Sequence, residues 1–244
     1  MKMKVKYVAF DYGNTLLLDP FVDVVSGISD KIMDILKRNG YNVEEKEVVS
    51  KWIESNENTN GPHYSHFFQE RPIVRDFLGN IGVKPRDYAF LIPKILSEYR
   101  QELKKFILEI DHTEVRETLE YLKDINKKLF VWSNERKYSL ETVLKWIDID
   151  PYFDKIISSE EIKSEKPDIE FFKKCIEMSG VEKEGTVYVG DDPEKDIIPA
   201  SKVGLKTILY KTEEHKPTSW RRYNTQAKPN AVIKKISDIK KIIF

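Results

Sequence analysis

Residues 5–15 of the chain read Val-Lys-Tyr-Val-Ala-Phe-Asp-Tyr-Gly-Asn-Thr. The apolar residues of this stretch predict a short buried strand, and Asp11 is the first residue after it. Gly13, Asn14 and Thr15 follow, in the residue types that favour a tight turn. A carboxylate just past the end of a rigid strand is a common way to present a reactive group, so Asp11 is the first candidate site residue.

The composition describes a globular chain without net charge. Of its 244 residues, 40% are hydrophobic and 34% are charged, and this length suffices for one large or two smaller domains. Lys and Arg number 41, and so do Asp and Glu, so no net field attracts nucleic acid or a membrane surface. No stretch approaches the ~18 apolar residues of a membrane span, and the first residues lack the apolar core of a signal peptide. We therefore expect a cytoplasmic monomer or small homo-oligomer that binds neither nucleic acid nor membranes.

Two local features have a plain structural interpretation. Cys175 is the only cysteine, so no intrachain disulfide can form, and its helical surroundings predict a buried free thiol. Residues 220–223, Trp-Arg-Arg-Tyr, combine charge and aromatic rings in a way that could bind nucleic acid. A single such cluster in a neutral protein favours a solvent-exposed loop instead.

The chain changes pattern twice. From residue 19 to 111 the apolar residues recur at helical spacing, which predicts four or so antiparallel helices inserted after the first strand. From residue 112 onwards helical and apolar strand segments alternate, as in a parallel, doubly wound α/β sheet. The expected strands are residues 128–132, 155–158, 186–189, 206–210 and 231–233. Right-handed crossovers would place the carboxyl ends of these strands at one edge of the sheet.

Polar residues also follow the strand at 128–132 and precede a helix at this edge. Ser133 and Asn134 come after the strand at 128–132, and a hydroxyl with the next backbone amides could bind an anionic oxygen. Lys166 lies just before a predicted helix and supplies a compact positive charge that could neutralise a phosphate. Each residue alone could equally be a helix cap or an ordinary loop residue.

The last polar segment is acidic. Residues 190–196 read Gly-Asp-Asp-Pro-Glu-Lys-Asp and bring Asp191, Asp192 and Asp196 to a strand end and helix start. Pro193 and the acids also make an ordinary helix start, so this segment alone does not decide. Carboxylates that converge with Asp11 would repel one another without a cation, and a hard ion with oxygen ligands, Mg²⁺ above all, would relieve this repulsion. A carboxylate nucleophile, a hydroxyl and backbone amides that bind an anion, a lysine and a magnesium site together suit phosphoryl transfer through an aspartyl-phosphate.

The four segments together resemble, in order, the four motifs of the haloacid dehalogenase superfamily, most of whose members are phosphatases. The matching stretches are Phe-Asp-Tyr-Gly-Asn-Thr-Leu, Phe-Val-Trp-Ser-Asn, Glu-Lys-Pro around Lys166, and Tyr-Val-Gly-Asp-Asp-Pro-Glu-Lys-Asp. The resemblance implies a Rossmann-like core, residues 1–18 and 112–244, and a type-one helical cap domain, residues 19–111.

The resemblance also implies roles for the site residues. Asp11 would be the nucleophile and a Mg²⁺ ligand, with the carbonyl of Gly13 and the carboxylate of Asp191 as further ligands. Lys166 would balance charge, and Ser133 with the amide of Asn134 would bind the phosphate. The supporting residues would be Thr15, which braces the first turn, Asp196, and more weakly Asp192.

One position departs from the family pattern. Family phosphatases usually carry a second Asp two residues after the nucleophile, where this chain has Gly13. That Asp protonates the leaving group and then activates water, and its loss typically costs ~10²–10⁴-fold in rate. Three outcomes stay open: a substrate with a good leaving group, such as a sugar-1-phosphate or an acyl phosphate; a proton from another group, for instance in the cap; or a slow or lapsed enzyme.

The sequence therefore predicts a Mg²⁺-dependent phosphatase that acts on a small phosphorylated metabolite. The alternative is a non-catalytic or weakly active relative that binds a phosphometabolite or a protein partner. A 2-haloacid dehalogenase is less favoured, because the acidic Gly-Asp-Asp segment suits a cation and not a halide. The cap would choose the substrate, and His63, Tyr64, His66 and Arg71 are its candidate contacts.

Overall fold

The structure, a computed structural model, describes residues 2–59, 70–211 and 227–244. The chain divides into two compact units, one made of Met1–Asp19 and Asp111–Phe244 and the other of Pro20–Ile110. The first is an α/β unit, and the secondary structure of the second is helical throughout its described residues, 20–59 and 70–110. No helix in the described ranges has both the length and the apolar character needed to cross a membrane.

The α/β unit is built on a six-stranded parallel sheet in the order β3-β2-β1-β4-β5-β6. This confirms the predicted fold class. The strands are β1 Tyr7–Phe10, β2 Lys128–Ser133, β3 Lys155–Ser158, β4 Thr186–Gly190, β5 Lys206–Tyr210 and β6 Ala231–Ile233. Strand β1 lies between β2 and β4, so the carboxyl ends of these three strands are neighbours. The strand order switches sides at β1, and ligands bind at such switch points in open α/β sheets.

Helices alternate with these strands, as the sequence predicts. They are α6 Thr113–Asp124, α7 Lys137–Trp146, α8 Ser159–Ile162, α9 Ile169–Ser179 and α10 Ile198–Lys202. The four-residue helix α8 is not predicted, because it is too short to show a period and is stabilised by the capping box of Ser158 and Glu161. The helical segment after β4 begins with a π-helical turn, Pro193–Ile197, and the last helix is a 3₁₀ helix, Ile236–Lys241.

Large aromatic side chains fill the core beneath the carboxyl edge of the sheet. Trp132 on β2 stacks on Tyr188 of β4 at 5.9 Å between ring centroids, and Phe172 meets Tyr188 edge-on at 5.0 Å. Burying a large apolar side chain contributes ~1.5–3 kcal/mol, so this cluster fixes the strand ends firmly. Cys175 is buried against the same cluster, which confirms the predicted free thiol.

The helical unit has its own core. Its helices are α1 Phe21–Gly27, α2 Ser29–Arg38, α3 Glu45–Asn58, α4 Glu70–Asn80 and α5 Tyr88–Glu109. The described residues form five α-helices, where the sequence predicts four or so, because the chain breaks at Ile28 between α1 and α2. Trp52 stacks on Phe77 at 5.2 Å within a buried cluster of aliphatic residues. The role of this unit as a cap domain stays a prediction.

Candidate active site

Three of the predicted polar segments meet at the carboxyl edge of the sheet. Asp11 follows β1, Asn134 follows β2, and Asp191 follows β4. The Asp11 amide continues the pairing with β4, since it donates to the Val189 carbonyl at 2.8 Å. The register of the three central strands therefore brings Asp11, Asn134 and Asp191, which are far apart in sequence, to one edge of the sheet.

The turn after β1 is closed by its own backbone. The Tyr12 carbonyl accepts from the amides of Leu16 and Leu17 at 2.9 and 3.1 Å. Asn14 adopts the left-handed conformation, with φ of 55°, and its side chain accepts from the Asp19 amide at 3.1 Å. Gly13 does not have a positive φ, and a Cβ placed on it would meet no atom of the described residues within 4 Å. The backbone at position 13 therefore does not require glycine.

Thr15 lies in the same turn. Its amide points toward the Tyr12 carbonyl at 3.3 Å, whereas its buried hydroxyl has no hydrogen-bond partner in the described structure. The bracing of this turn by Thr15 therefore stays a prediction.

Lys166 is the centre of the buried polar network. Its ammonium donates to Asp11 Oδ1 at 2.6 Å, to Asp196 Oδ1 at 2.7 Å and to the Tyr188 hydroxyl at 3.1 Å. The lysine is only 5% exposed, and Asp196 is fully buried. An ammonium has three protons, so these three acceptors use all of its donors.

Tyr188 belongs to this network although the sequence analysis did not single it out. Its hydroxyl also lies 3.1 Å from the Trp132 carbonyl and 3.2 Å from Asp196 Oδ1. One signal was available in the sequence, because a tyrosine in the middle of a fully buried strand needs a polar partner for its hydroxyl.

Gly190 makes room for Asp196. A Cβ at position 190 would lie 2.5 Å from the Asp196 carboxyl group, closer than real atoms approach. The Asp196 carboxylate accepts the Asp192 amide at 3.0 Å through its second oxygen. The Asp192 side chain instead caps the following π-helical turn, accepting from the amides of Glu194 and Lys195 at 2.8 and 2.9 Å. Such π-helical turns are frequent at functional sites.

The charges of the network affect one another. Burial raises the pKa of Asp11 to about 6; the Lys166 ammonium works against this shift and the Asp196 carboxylate adds to it. For Lys166, burial lowers the pKa, but the two carboxylates outweigh burial and the pKa rises above its usual value. Lys166 is therefore charged throughout the physiological range, and Asp11 is mostly ionised near neutral pH.

The carboxylates of Asp11, Asp191 and Asp196 suit a divalent cation. One oxygen from each lies within 4.8 Å of the others. Lys166 pairs with two of these three acids, so the cluster keeps a formal charge of −2 that a divalent ion would balance. A set of oxygen ligands alone favours hard ions such as Mg²⁺ over zinc or copper.

The segment after β2 holds the Lys166 loop in place. The Asn134 side chain donates to the Lys166 carbonyl at 3.0 Å and accepts from the Lys166 amide at 2.7 Å. The Ser159 hydroxyl donates to the Asn134 carbonyl at 2.8 Å. Buried Ser133 accepts the Glu135 amide at 3.1 Å through its hydroxyl, whose own proton can still be donated to an anion. The Asn134 side chain thus has a positioning role that the sequence did not indicate.

The structure does not test the predicted substrate contacts of the helical unit. His63, Tyr64 and His66 lie outside the described residues, and so does the basic and aromatic cluster at 220–223. Arg71 is an exposed residue of α4. Their roles stay predictions.

Two curated relatives cover most of the chain. The glyceraldehyde 3-phosphate phosphatase of Methanocaldococcus jannaschii is 29% identical over 205 residues, which are 84% of each chain. Pyrophosphatase PpaX of Bacillus mycoides is 26% identical over 190 residues, 73% of this chain and 84% of the relative.

Solved structures share the fold over nearly the whole length. A haloacid dehalogenase (HAD) phosphatase from Thermococcus onnurineus aligns with a TM-score of 0.66 at 21% identity, covering 97% of this chain and 96% of that one. A 2-haloacid dehalogenase from Pseudomonas syringae pv. Tomato aligns with a TM-score of 0.69 at 20% identity, covering 97% of both. At this identity the structures show the fold and do not choose between the two activities.

A match to a family model shows which family the chain belongs to. The model described as haloacid dehalogenase-like hydrolase matches residues 19–210 and so covers most of the chain. The match begins after the turn that carries Asp11. Asp11 nevertheless lies at the same edge of the sheet as Lys166 and Asp196, which are within the matched residues. The protein is therefore an enzyme of the hydrolase class that belongs to the haloacid dehalogenase-like hydrolase family.

Proposed function

We propose that the protein is a Mg²⁺-dependent phosphatase that hydrolyses a small phosphorylated metabolite through an aspartyl-phosphate on Asp11. The observation that carries the proposal is the buried network in which Lys166 bridges Asp11 and Asp196 beside a third carboxylate, Asp191. The two curated relatives are named as phosphatases, one for a sugar phosphate ester and one for pyrophosphate.

Asp11 is the best candidate nucleophile. It stands at the end of the central strand, and Lys166 fixes one of its carboxylate oxygens at 2.6 Å. A pKa of about 6 leaves it mostly anionic at neutral pH, which is the reactive form. The Lys166 ammonium would also offset part of the negative charge that the phosphoryl group brings into the crevice.

The cation and the phosphate would take complementary groups. Asp11 and Asp191, with the carbonyl of Gly13, would hold Mg²⁺, which when bound withdraws charge from the phosphoryl oxygens. The Ser133 hydroxyl would donate a hydrogen bond to a phosphoryl oxygen, and the backbone amide of Asn134 would donate a second one. Asp196 would act on the reaction through Lys166, since its carboxylate holds the ammonium in place.

The reaction balances in two displacements. In the first, an Asp11 oxygen attacks phosphorus, the bond from phosphorus to the leaving group breaks, and the leaving group departs with the electron pair. In the second, a water oxygen bonds to phosphorus and loses a proton to solvent, the bond from phosphorus to the Asp11 oxygen breaks, and inorganic phosphate leaves as the Asp11 carboxylate is restored. The helical unit would serve as the cap that excludes bulk water during the first step.

Two other functions are less well supported. A non-catalytic relative would have little reason to keep a buried ion network, because burying charges is costly unless they are used or fully paired. A dehalogenase must bind a halide, and three clustered carboxylates would repel one.

The test is a screen of phosphate esters and acyl phosphates with Mg²⁺ and with a chelator. We expect hydrolysis that needs Mg²⁺ and that falls by at least ~10³-fold in Asp11→Asn, because an amide cannot form the phosphoenzyme. Asp124→Asn, an exposed residue at the end of α6, is the matched control and should keep full activity. Hydrolysis that survives in Asp11→Asn would contradict the nucleophile, and no hydrolysis of any compound would favour a binding protein.

A further inference from the structure

Lys166 lies outside the helices and strands, in the loop between α8 and α9. Its ammonium nevertheless lies within hydrogen-bond distance of Asp11 and Asp196, at 2.6 and 2.7 Å. A lysine side chain is a flexible four-carbon stem, so the position of its charge depends on how firmly its backbone is held. The groups that hold the Lys166 backbone therefore bear on the reaction proposed above.

The Asn134 carboxamide holds the Lys166 backbone at two points. Its nitrogen Nδ2 donates to the Lys166 carbonyl at 3.0 Å, and its oxygen Oδ1 accepts from the Lys166 amide at 2.7 Å. The Lys166 amide can only donate, so the carboxamide oxygen has to face it, and this fixes the orientation of the Asn134 side chain. A carboxamide supplies the donor and the acceptor that this pair of bonds needs, whereas alanine supplies neither.

Asn134 is itself held by the start of α8. The Ser159 hydroxyl donates to the Asn134 carbonyl at 2.8 Å, and Ser159 is only 1% exposed. The preceding residue, Ser158, caps α8 and pairs with Ser133 in the sheet. The capped start of the helix therefore fixes the Asn134 backbone, which in turn presents its carboxamide to Lys166.

The loop between α8 and α9 also has contacts of its own. The Ser164 hydroxyl donates to the Asp168 carboxylate at 3.3 Å, and the Asp168 amide donates to the Glu165 carbonyl at 2.8 Å. These bonds join the loop to the start of α9, whereas Asn134 joins it to the end of β2, the strand beside β1. Loss of the Asn134 carboxamide would therefore leave a folded loop that is held less firmly relative to β1.

We infer that Asn134 and Ser159 are positioning residues whose side chains place the Lys166 ammonium against Asp11. The Asn134 carboxamide sets the Lys166 backbone, and the Ser159 hydroxyl sets Asn134. The backbone amide of Asn134 is also a proposed phosphate ligand, so one residue would align the anion with the lysine that balances its charge. The effect on turnover rests on the proposed function, whereas the effect on the position of the ammonium does not.

The first measurement follows the Lys166 ammonium and needs no substrate. The protein is labelled with ¹⁵N in its lysines, and the ¹H–¹⁵N signal of the buried ammonium is assigned by its loss in Lys166→Arg. We expect Asn134→Ala to shift or broaden this signal. Ser159→Ala should shift it less and in the same direction, because this variant leaves the carboxamide in place.

The second measurement is steady-state kinetics with p-nitrophenyl phosphate and acetyl phosphate in the presence of Mg²⁺. We expect Asn134→Ala to lower kcat by ~10–10²-fold with a smaller change in KM, because small displacements of a group that acts in the transition state are costly. The backbone amide at position 134 is kept in this variant. Any Mg²⁺-dependent rise in melting temperature should also be kept, because the carboxylates of Asp11 and Asp191 remain.

Asn230→Ala and Thr118→Val are the matched controls. The Asn230 side chain also accepts a backbone amide, that of Thr207 at 2.8 Å, but Asn230 precedes β6 and so lies at the opposite edge of the parallel sheet. Thr118→Val removes a buried hydroxyl from α6, as Ser159→Ala does from α8. Both controls should lose stability without a change in kcat or in the ammonium signal.

The possible failures are distinguishable. An unchanged ammonium signal in Asn134→Ala, or a loss of stability alone as in the controls, would overturn the inference, and the proposed function would stand if Asp11→Asn were inactive. If Asn134→Ala does not fold, Ser159→Ala decides by the same two measurements. Hydrolysis that is absent, or independent of Asp11, would overturn the proposed function, and the ammonium signal would still decide whether Asn134 positions the lysine.

Discussion

The Tyr188 hydroxyl contacts three groups at once: the Lys166 ammonium, Asp196 and the Trp132 carbonyl. Burial is the first cause of its high pKa, which lies well above 10, and the Asp196 charge raises it further. The tyrosine is therefore neutral at any physiological pH. We interpret it as a positioning residue that completes the hydrogen bonds of Lys166 without entering the reaction.

Tyr188→Phe tests this role. The change removes one acceptor from Lys166 and one donor from the Trp132 carbonyl, so we expect ~1 kcal/mol less stability and a several-fold lower kcat with KM little changed. Tyr138→Phe is the matched control, since Tyr138 is 80% exposed and should show neither effect. Urea unfolding and steady-state kinetics measure the two quantities. A loss of stability with kcat unchanged would show that Tyr188 stabilises the core without positioning Lys166 for the reaction.

The sequence indicates most of the candidate site residues but not the contacts that hold them in place. Asp11, Lys166, Asp191 and Asp196 could be proposed because each follows a strand or starts a helix with a reactive side chain. The pairing of Asn134 with the Lys166 backbone could not be proposed, because it depends on how two loops 32 residues apart meet. For Tyr188 the sequence offers only the general signal that a buried tyrosine hydroxyl needs a polar partner, because its partners Lys166 and Trp132 lie 22 and 56 residues away.

At the scale of elements, strand β4 and the π-helical turn after it must approach each other closely. The turn carries Asp196 back over the strand end, and only glycine at position 190 leaves space for the carboxyl group. Periodicity predicted a strand and a helix here, but a one-residue widening of the first helical turn leaves no signal in the spacing of apolar residues.

Gly190→Ala should therefore displace Asp196. The added Cβ would lie 2.5 Å from its carboxyl carbon, so the side chain must move and the bond to Lys166 is strained or lost. We expect a loss of ~1–3 kcal/mol in stability and at least ~10-fold in kcat/KM. Thermal unfolding and kinetics measure both.

Gly185→Ala is the control for this prediction. It precedes the same strand, and its Cβ would meet the Tyr7 ring at an ordinary 3.7 Å. Equal effects of the two alanines would show that the strand, and not the position of Asp196, is sensitive to the change.

At the scale of the whole molecule, the parallel sheet explains why the site was largely foreseeable. Parallel strands deliver their carboxyl ends to one edge, so residues 11, 134 and 191 had to converge once the strands were assigned. The helical unit follows its own pattern of apolar residues, and its periodicity does not reveal a substrate.

Binding of Mg²⁺ tests the whole arrangement without relying on turnover. An ion that binds only the folded protein stabilises it by RT ln(1 + [Mg²⁺]/Kd), about 2.7 kcal/mol at a hundredfold excess over Kd. We expect the melting temperature to rise with Mg²⁺ concentration and to return to its starting value with a chelator. Asp191→Asn should weaken this rise strongly, because it removes one carboxylate of the cluster.

Asp192→Asn is the neighbouring control for the Mg²⁺ titration. Its side chain caps the π-helical turn, and asparagine caps a helix as well as aspartate does, so the fold should persist. Because Asp192 lies outside the cluster of Asp11, Asp191 and Asp196, we expect the Mg²⁺-dependent rise to be kept. The same rise in Asp191→Asn as in the unmodified protein would contradict the metal site, since the ion would then be bound by other groups.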